Sequence, residues 1–292
     1  MLAVSCGTAT LADPVARLET ILPWTHPADW FGGLSGIEVT AGGTMLHVIT
    51  DRGHAFTAKM GRHPDGQLQS LAIINHHPIR YGNGLQVKGP FRDAEGLAIA
   101  PDGQAHLTFE RKHRATRFDL ATGITALLTP HQDFAQFSKN RGFEALAVTP
   151  QGTLIALPED TLTRNADFPI YAYNGTTWNI TGHLPRRGPF LPVGADITSD
   201  GTLTLLERAA SPLGFRSRIR QFTPPFGQAQ ERTLLTTRPG QFDNLEGLSI
   251  WRDATGQTRV TLVSDDNFLA AQRTQIVEFT IHEKLAPQPV SP

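Results

Sequence analysis

The sequence predicts an all-β fold: a single β-propeller of about five blades, each of four antiparallel strands. Three observations carry that prediction. A strand–turn–strand unit recurs five times along the chain, at a spacing of about 50 residues that falls in the range of propeller blades. Each copy turns on a Pro-Asp-Gly-type element between two apolar runs, a strong short-range signal for a hairpin. No apolar pattern of helical period persists anywhere in the 292 residues, so the periodicity is that of strands.

In chain order, the first copy runs from Leu34-Ser-Gly-Ile-Glu through Gly42-Gly43 into Met45-Leu-His-Val-Ile-Thr-Asp-Arg-Gly53. The second is Glu95-Gly-Leu-Ala-Ile-Ala-Pro-Asp-Gly103 followed by His106-Leu-Thr-Phe-Glu-Arg111. The third is Glu144-Ala-Leu-Ala-Val-Thr-Pro-Gln-Gly152 followed by Thr153-Leu-Ile-Ala-Leu-Pro-Glu159. The fourth is Gly194-Ala-Asp-Ile-Thr-Ser-Asp-Gly201 followed by Thr202-Leu-Thr-Leu-Leu-Glu-Arg208, and the fifth is Glu246-Gly-Leu-Ser-Ile-Trp-Arg-Asp253 followed by Val260-Thr-Leu-Val-Ser-Asp265. Third strands are predicted at Ala55–Lys59, Thr116–Leu120, Pro169–Tyr173, Ser217–Phe222 and Gln275–Ile281, and fourth strands at Leu68–Asn75, Thr125–Leu128, Trp178–Gly182 and Glu231–Thr236. No comparable strand follows Ile281, so Val15–Leu22 is expected to supply it and close the ring, which leaves no long open edge. A sixth blade, degenerate and hidden within His76–Arg92, is the alternative count. The propeller is assigned to residues 14–283, with residues 284–292 as a tail.

Residues 1–13 are small and apolar until Asp13. They read as the remnant of an export signal, with Thr10-Leu11-Ala12 resembling a small-residue cleavage site and Val4-Ser5-Cys6 the end of a lipoprotein signal. A periplasmic or secreted protein, lipid-anchored if Cys6 is acylated, is the expectation. Cys6 is the single cysteine, so an intrachain disulfide is excluded, and its position outside the repeats argues against a catalytic thiolate. A net charge of -1 without a basic cluster argues against a nucleic-acid partner. No run approaches the roughly 18 apolar residues of a membrane span. A monomer with a small anionic substrate or ligand is expected. There is no Gly-x-Ser-x-Gly elbow, phosphate-binding Gly-rich loop or zinc spacing. Ser35 reads as a small residue giving room at the mouth, Gly82-Asn-Gly84 as a turn, and His76-His77 as a packing feature, since neighbours on a strand face opposite ways.

The acids that fall in register with the repeat carry the chemistry. Glu95, Glu144 and Glu246 open the first strand of their blades, while Asp51, Glu110, Glu159, Glu207 and Asp265 close the second. In an antiparallel hairpin those two places lie at the same end, so up to eight carboxylates are expected around one mouth of the channel. Asp93, Asn140 and Asn244 sit just ahead of the glutamates, Arg52, Arg111 and Arg208 follow the acids in three blades, and Asp160 and Asp266 follow in the other two. Carboxylates with Asn are hard oxygen donors that suit Ca²⁺ first, then Mg²⁺ or Mn²⁺. The candidate metal ligands are Asp51, Asp93, Glu95, Glu110, Glu144, Glu159, Glu207, Asn244, Glu246 and Asp265. A ring of Glu–Arg pairs that merely pins the blades together is the structural alternative.

Leu34-Ser-Gly-Ile-Glu with Thr50-Asp-Arg-Gly53, Asp93-Ala-Glu-Gly-Leu97, Asn140-Arg-Gly-Phe-Glu-Ala-Leu146, Leu206-Glu-Arg208 and Asn244-Leu-Glu-Gly-Leu248 together resemble the bacterial "esterase-like activity of phytase" family, or phytase-like domain proteins. The resemblance spans about Gly32 to Ile281. It implies exported proteins with repeated Glu and Asp residues and a phosphoester hydrolase activity. The fourth blade departs from the pattern, with Val193 where glutamate is expected. The expected function is metal-assisted hydrolysis of a phosphoester, with Glu95, Glu144 and Glu246 at the reacting centre, Arg52, Arg111 and Arg208 on the phosphoryl oxygens, and a carboxylate not bound to metal as base. A carboxylic-ester or lactone hydrolase, and a propeller that binds a ligand or partner without turnover, are the alternatives.

Overall fold

The hairpin turns set the register of each blade. In four blades the hairpin turn ends on a glycine with positive φ, as at Gly103 and Gly152. The chain then closes with paired bonds such as Gly103 N–H to the Ala100 carbonyl and Ala100 N–H to the Gln104 carbonyl. That conformation is open to glycine and strained for other residues, which is why the repeat carries Gly at the end of its turn.

A computed structural model describes residues 16–226 and 230–282. It contains twenty strands: β1 Ala16–Pro23, β2 Leu34–Thr40, β3 Met45–Thr50, β4 His54–Arg62, β5 Leu68–Pro78, β6 Ala94–Ile99, β7 Ala105–Phe109, β8 Arg114–Phe118, β9 Thr125–Leu127, β10 Phe143–Val148, β11 Leu154–Pro158, β12 Phe168–Tyr173, β13 Trp178–Leu184, β14 Leu191–Ile197, β15 Leu203–Ser211, β16 Gly214–Phe222, β17 Glu231–Thr236, β18 Asn244–Arg252, β19 Thr258–Asp265 and β20 Gln275–Ile281. They form five four-stranded sheets, ordered β2-β3-β4-β5, β6-β7-β8-β9, β10-β11-β12-β13, β14-β15-β16-β17 and β1-β20-β19-β18. Every pairing is antiparallel. The innermost strands β2, β6, β10, β14 and β18 pack in succession around one axis, and β18 against β2 completes the circle. The fold is a five-bladed propeller, and β1 is the outer strand of the last blade, so the N-terminal strand closes the ring. The sixth-blade alternative is overturned. His76 belongs to β5, and the chain from there to β6 is a loop with one short 3₁₀ turn at Gly89–Phe91.

Five apolar clusters fill the wedges between neighbouring blades. Each inner strand serves two of them. On β10, Phe143, Leu146 and Val148 pack toward the second blade, while Ala145 and Ala147 pack toward the fourth. Burial on both faces explains why the inner strands read as continuous apolar runs, whereas the outer strands β5 and β13 have exposed residues along most of their length. Among the described residues no helix is long and apolar enough to cross a membrane. The export motifs of residues 1–13, Cys6 included, lie outside the described residues.

Candidate functional site

Each innermost strand slips register once against its neighbour: between Leu34 and Ile37, Ala94 and Leu97, Phe143 and Ala145, Pro192 and Gly194, and Leu245 and Gly247. Ser35, Glu95, Glu144, Val193 and Glu246 lie within these bulges. A bulged residue is unpaired, and its side chain is re-aimed out of the sheet's alternation. These five line the same void on the propeller axis. The following residue is glycine in four blades for a steric reason. A Cβ on Gly194 would stand 2.5 Å from the Glu246 carbonyl oxygen, and one on Gly36 would stand 2.8 Å from that of Glu95. The Glu-Gly-Leu motif thus has three parts: an acid turned to the axis, a backbone-to-backbone approach of blades, and an apolar wedge. The void on the axis is only about 10 Å³, the space of about one water, so it is too small to admit a substrate-sized molecule.

Asp51, Glu110, Glu159 and Asp265 leave the ends of their second strands beside this ring. The fourth blade differs from the sequence reading. Gly247 pairs Val263, two residues before Asp265, and Ala145 pairs Leu157, two residues before Glu159. Gly194 pairs Leu206, two residues before Arg208. Arg208, not Glu207, therefore takes the place of the second acid. Glu207 is one residue early, and on a strand one residue reverses the face. It is fully buried and accepts from Arg218 Nε at 2.6 Å and from Arg220 Nε at 2.8 Å and Nη2 at 2.6 Å. Arg220 also reaches Glu231 at 3.1 Å and the Pro185 carbonyl at 3.0 Å. Glu207 is thus part of a buried ion network away from the mouth, not a ligand there.

Arg208 projects into the acidic ring. It donates to Glu246, to Asn244 Oδ1 at 2.8 Å and to Glu159 Oε1 at 3.2 Å, and stands 3.9 Å from Glu144. Asn244 in turn donates to Glu246 Oε1 at 2.8 Å. Burial opposes the charge on Arg208, but Glu246, Glu144 and Glu159 outweigh it and raise its pKa. The remaining acids are crowded and short of cations. Burial, reinforced by neighbouring carboxylates, holds Glu95 and Glu144 well above the usual carboxylate range. It pushes Asp51 up to about 7, Glu110 to about 7 and Asp265 to about 8, and it raises Asp93 and Glu159 against the pull of Arg111 and Arg208.

Two overlapping carboxylate triads fit a metal ion. Asp93, Glu95 and Glu110 form one, and Glu110, Glu144 and Glu159 the other, each offering oxygens within 4.8 Å of one another. Two carboxyls in these triads, Glu95 and Glu144, accept no hydrogen bond among the described residues. Crowded, partly buried acids without donors lack compensation for their charge, so a divalent cation suits the donor set. The other expected residues are distributed as follows. Ser35 is buried in the ring with only a long 3.4 Å contact from Oγ to the Gly33 carbonyl. Asp160 is turned outward to Arg141 and Arg186. Asp266 accepts from the Gly33 and Phe268 amides. Arg52 lies over Phe268 at 4.0 Å, 3.6 Å from Asp51, and Arg111 Nε meets Asp93 Oδ2 at 2.7 Å. His76, on β5, stacks on Trp30 at 3.9 Å and shares a hydrogen bond with His54.

Three residues escaped the sequence reading. Glu38 and Asp196 lie deeper on the axis, bridged by Ser249 Oγ, and accept from the free-edge amides of Ile99 and Ile250. They satisfy inner-strand edges that no further strand covers. Their signal was an acid in the middle of an apolar strand. Arg92, in the loop before β6, joins Arg52 and Arg111 around a cleft of about 320 Å³ between the first two blades. Its only sequence signal was its place directly before Asp93.

No curated protein matches the chain. Among solved structures it is similar to virginiamycin B lyase from Staphylococcus aureus (16% identity, 94% of this chain, 75% of that one, TM-score 0.42). It is also similar to a gluconolactonase from Xanthomonas campestris (14% identity, 84% and 72%, TM-score 0.46) and to a protein of unknown function from Dyadobacter fermentans (13% identity, 89% and 79%, TM-score 0.46). The family model described as phytase-like, esterase-like activity of phytase, matches residues 29–268, and the chain belongs to that family.

Proposed function

We propose that this member of the phytase-like family is a metal-assisted hydrolase that cleaves a phosphoester at the acidic mouth of its propeller. The observation that carries the reading is the pair of carboxylate triads sharing Glu110, with oxygens within 4.8 Å in each. Asp93, Glu95, Glu110, Glu144 and Glu159 would hold a divalent cation, Ca²⁺ by preference. Bound there, it would supply charge neutralisation and Lewis acidity toward a phosphoryl oxygen.

The chain's own groups divide the remaining work. Arg208 holds Glu246 and Asn244 in place and keeps one side of the ring compensated. Asp51 and Asp265 lie outside both triads, on the first and fifth blades. With pKa values pushed up to about 7 and about 8, they are suited to take and return a proton near neutral pH. The void on the axis, about 10 Å³, is too small for a substrate, which would therefore sit at the mouth. Export to the periplasm or medium belongs to this reading and is supported by the composition of residues 1–13. N-terminal sequencing of the protein from its host tests it, and a chain still beginning at Met1 would oppose it.

The functional test is a panel of chromogenic phosphomonoesters, phosphodiesters, carboxylic esters and lactones with Ca²⁺, Mg²⁺ or Mn²⁺. Metal-dependent turnover of a phosphoester, lost in Glu144→Gln and Glu95→Gln proteins that still fold, is the expected result. Turnover of lactones or carboxylic esters alone would reassign the substrate, and inactivity throughout would favour a binding propeller.

A further inference from the structure

The geometry points to the cleft between the first two blades as a dianion-binding subsite, with Arg92 as its principal free cation, and we propose that it takes the phosphoryl group of the substrate. This rests on the hydrolase reading and extends it by stating where the substrate lies. Arg52, Arg92 and Arg111 line the cleft together with Asp51 and Asp93. Two of the three arginines are partly engaged: Arg111 pairs with Asp93, and Arg52 lies near Asp51 over Phe268. Arg92 is half-buried and has no carboxylate within ion-pairing distance among the described residues. A guanidinium kept at the mouth of an active-site channel without an internal partner is positioned for an external one, and its planar fork matches two oxygens of a phosphoryl group.

The fold holds Arg92 in place beforehand. A Cβ on Gly53 would stand 2.9 Å from Arg92 Cβ and 3.3 Å from its carbonyl oxygen. The glycine therefore lets the loop before β6 seat directly on the turn that carries Arg52. From the other side Arg114 donates to the Phe91 carbonyl and lies over the Phe109 ring at 3.6 Å. Arg111 comes from a third support, a backbone with φ of 52° whose amide donates to the Lys139 carbonyl at 3.1 Å. Three guanidiniums thus reach one cleft from separately anchored segments, an arrangement that lowers the ordering cost of binding.

Asp93 belongs both to this cleft and to the Asp93–Glu95–Glu110 triad. A phosphoryl group in the cleft would lie beside that triad rather than beside Glu110–Glu144–Glu159, so the former is the productive one.

The test is calorimetric titration of chelator-treated protein with inorganic phosphate at low salt, and with acetate at equal ionic strength. Phosphate should bind to wild type, and Arg92→Gln should weaken it about tenfold, the loss expected for a charge-assisted hydrogen bond. Arg92→Lys should recover part of the loss, and Arg252→Gln, at the far end of β18, should change nothing. No phosphate binding by wild type at about 10 mM, or equal binding by Arg92→Gln and wild type, would overturn the proposal. Acetate binding as tight as phosphate would overturn the phosphoryl assignment. Because the titration needs neither metal nor turnover, it is separable from the hydrolase reading. A silent ester panel with Arg92-dependent phosphate binding would remove the hydrolase and leave the cleft. Phosphoester turnover with KM unchanged in Arg92→Gln would do the reverse.

Discussion

Replacing Arg208 with methionine should destabilise the chelated protein strongly, and calcium should undo most of the damage. Arg208 is 17% exposed and contacts Glu246, Glu159 and Asn244, with Glu144 at 3.9 Å. Removing one partner of a buried ion pair costs about 3–5 kcal/mol, because the charge left behind is uncompensated. Partial exposure argues for the lower end. So does proton uptake by the abandoned carboxylates, since Glu144 and Glu159 already sit above the usual range. The loss should therefore be about 3 kcal/mol at pH 8 and smaller at pH 6, where protonation relieves the repulsion. For a domain of this size that lowers Tm by roughly 5 °C. A divalent cation at the triads would supply the missing charge, so saturating calcium should narrow the gap between variant and wild type. Arg220→Met is the contrast. It strips Glu207 of two of its hydrogen bonds, from Nε at 2.8 Å and Nη2 at 2.6 Å, away from the mouth, and calcium should leave its deficit unchanged. Thermal unfolding by circular dichroism, in chelator and in calcium, reads all of this. An Arg208→Met protein that melts with wild type in chelator, or a deficit that calcium leaves as large as before, would refute the account of Arg208 as the ring's built-in cation.

The chelated wild type should also lose stability as pH rises from 6.5 to 8.5. Asp51 and Glu110 titrate at about 7 and Asp265 at about 8 in the fold, against about 4 in an unfolded chain, so the folded state binds more protons. Their contribution is full below about pH 4 and is lost as pH climbs through 7 and 8, by about 3 kcal/mol over this window. His76 and His106, held down to about 4 by burial first, act in the opposite sense only below about 6.5. A Tm that is flat or rising in chelator over that window would contradict the assignment. Calcium titrations should show Glu95→Gln and Glu144→Gln each weakening binding at least about tenfold, whereas Glu207→Gln should bind calcium like wild type. Gly247→Ala should cost about 1–3 kcal/mol through overlap of the new methyl with the Ser35 carbonyl. A neutral result in urea denaturation would mean that the inner strands can separate there.

Most of the fold was legible because a propeller repeats local rules. Glycine after each turn, apolar runs of strand length and the missing fourth strand after Ile281 are properties of short segments. They led to the observed blades, and the predicted Glu231–Thr236 and Gln275–Ile281 strands coincide with β17 and β20. The in-register acids were readable for the same reason, since a hairpin returns its two ends to one side of the sheet. Three features depended on information that no single segment contains. Whether Glu207 or Arg208 faces the mouth turns on the bulge between Pro192 and Gly194, a cross-strand property, and the two side chains differ by one residue and hence by a face of the sheet. Arg92 joins Arg52 and Arg111 at their cleft because a loop seats on Gly53, some forty residues earlier in the chain. Glu38 and Asp196 meet only when the first and fourth blades are brought round a common axis. The sequence by itself determined the blade, its turns and its ration of acids, because these follow from neighbours along the chain. The tertiary structure alone decided which charges face one another, because charge pairing is set by register and ring closure between segments far apart in sequence.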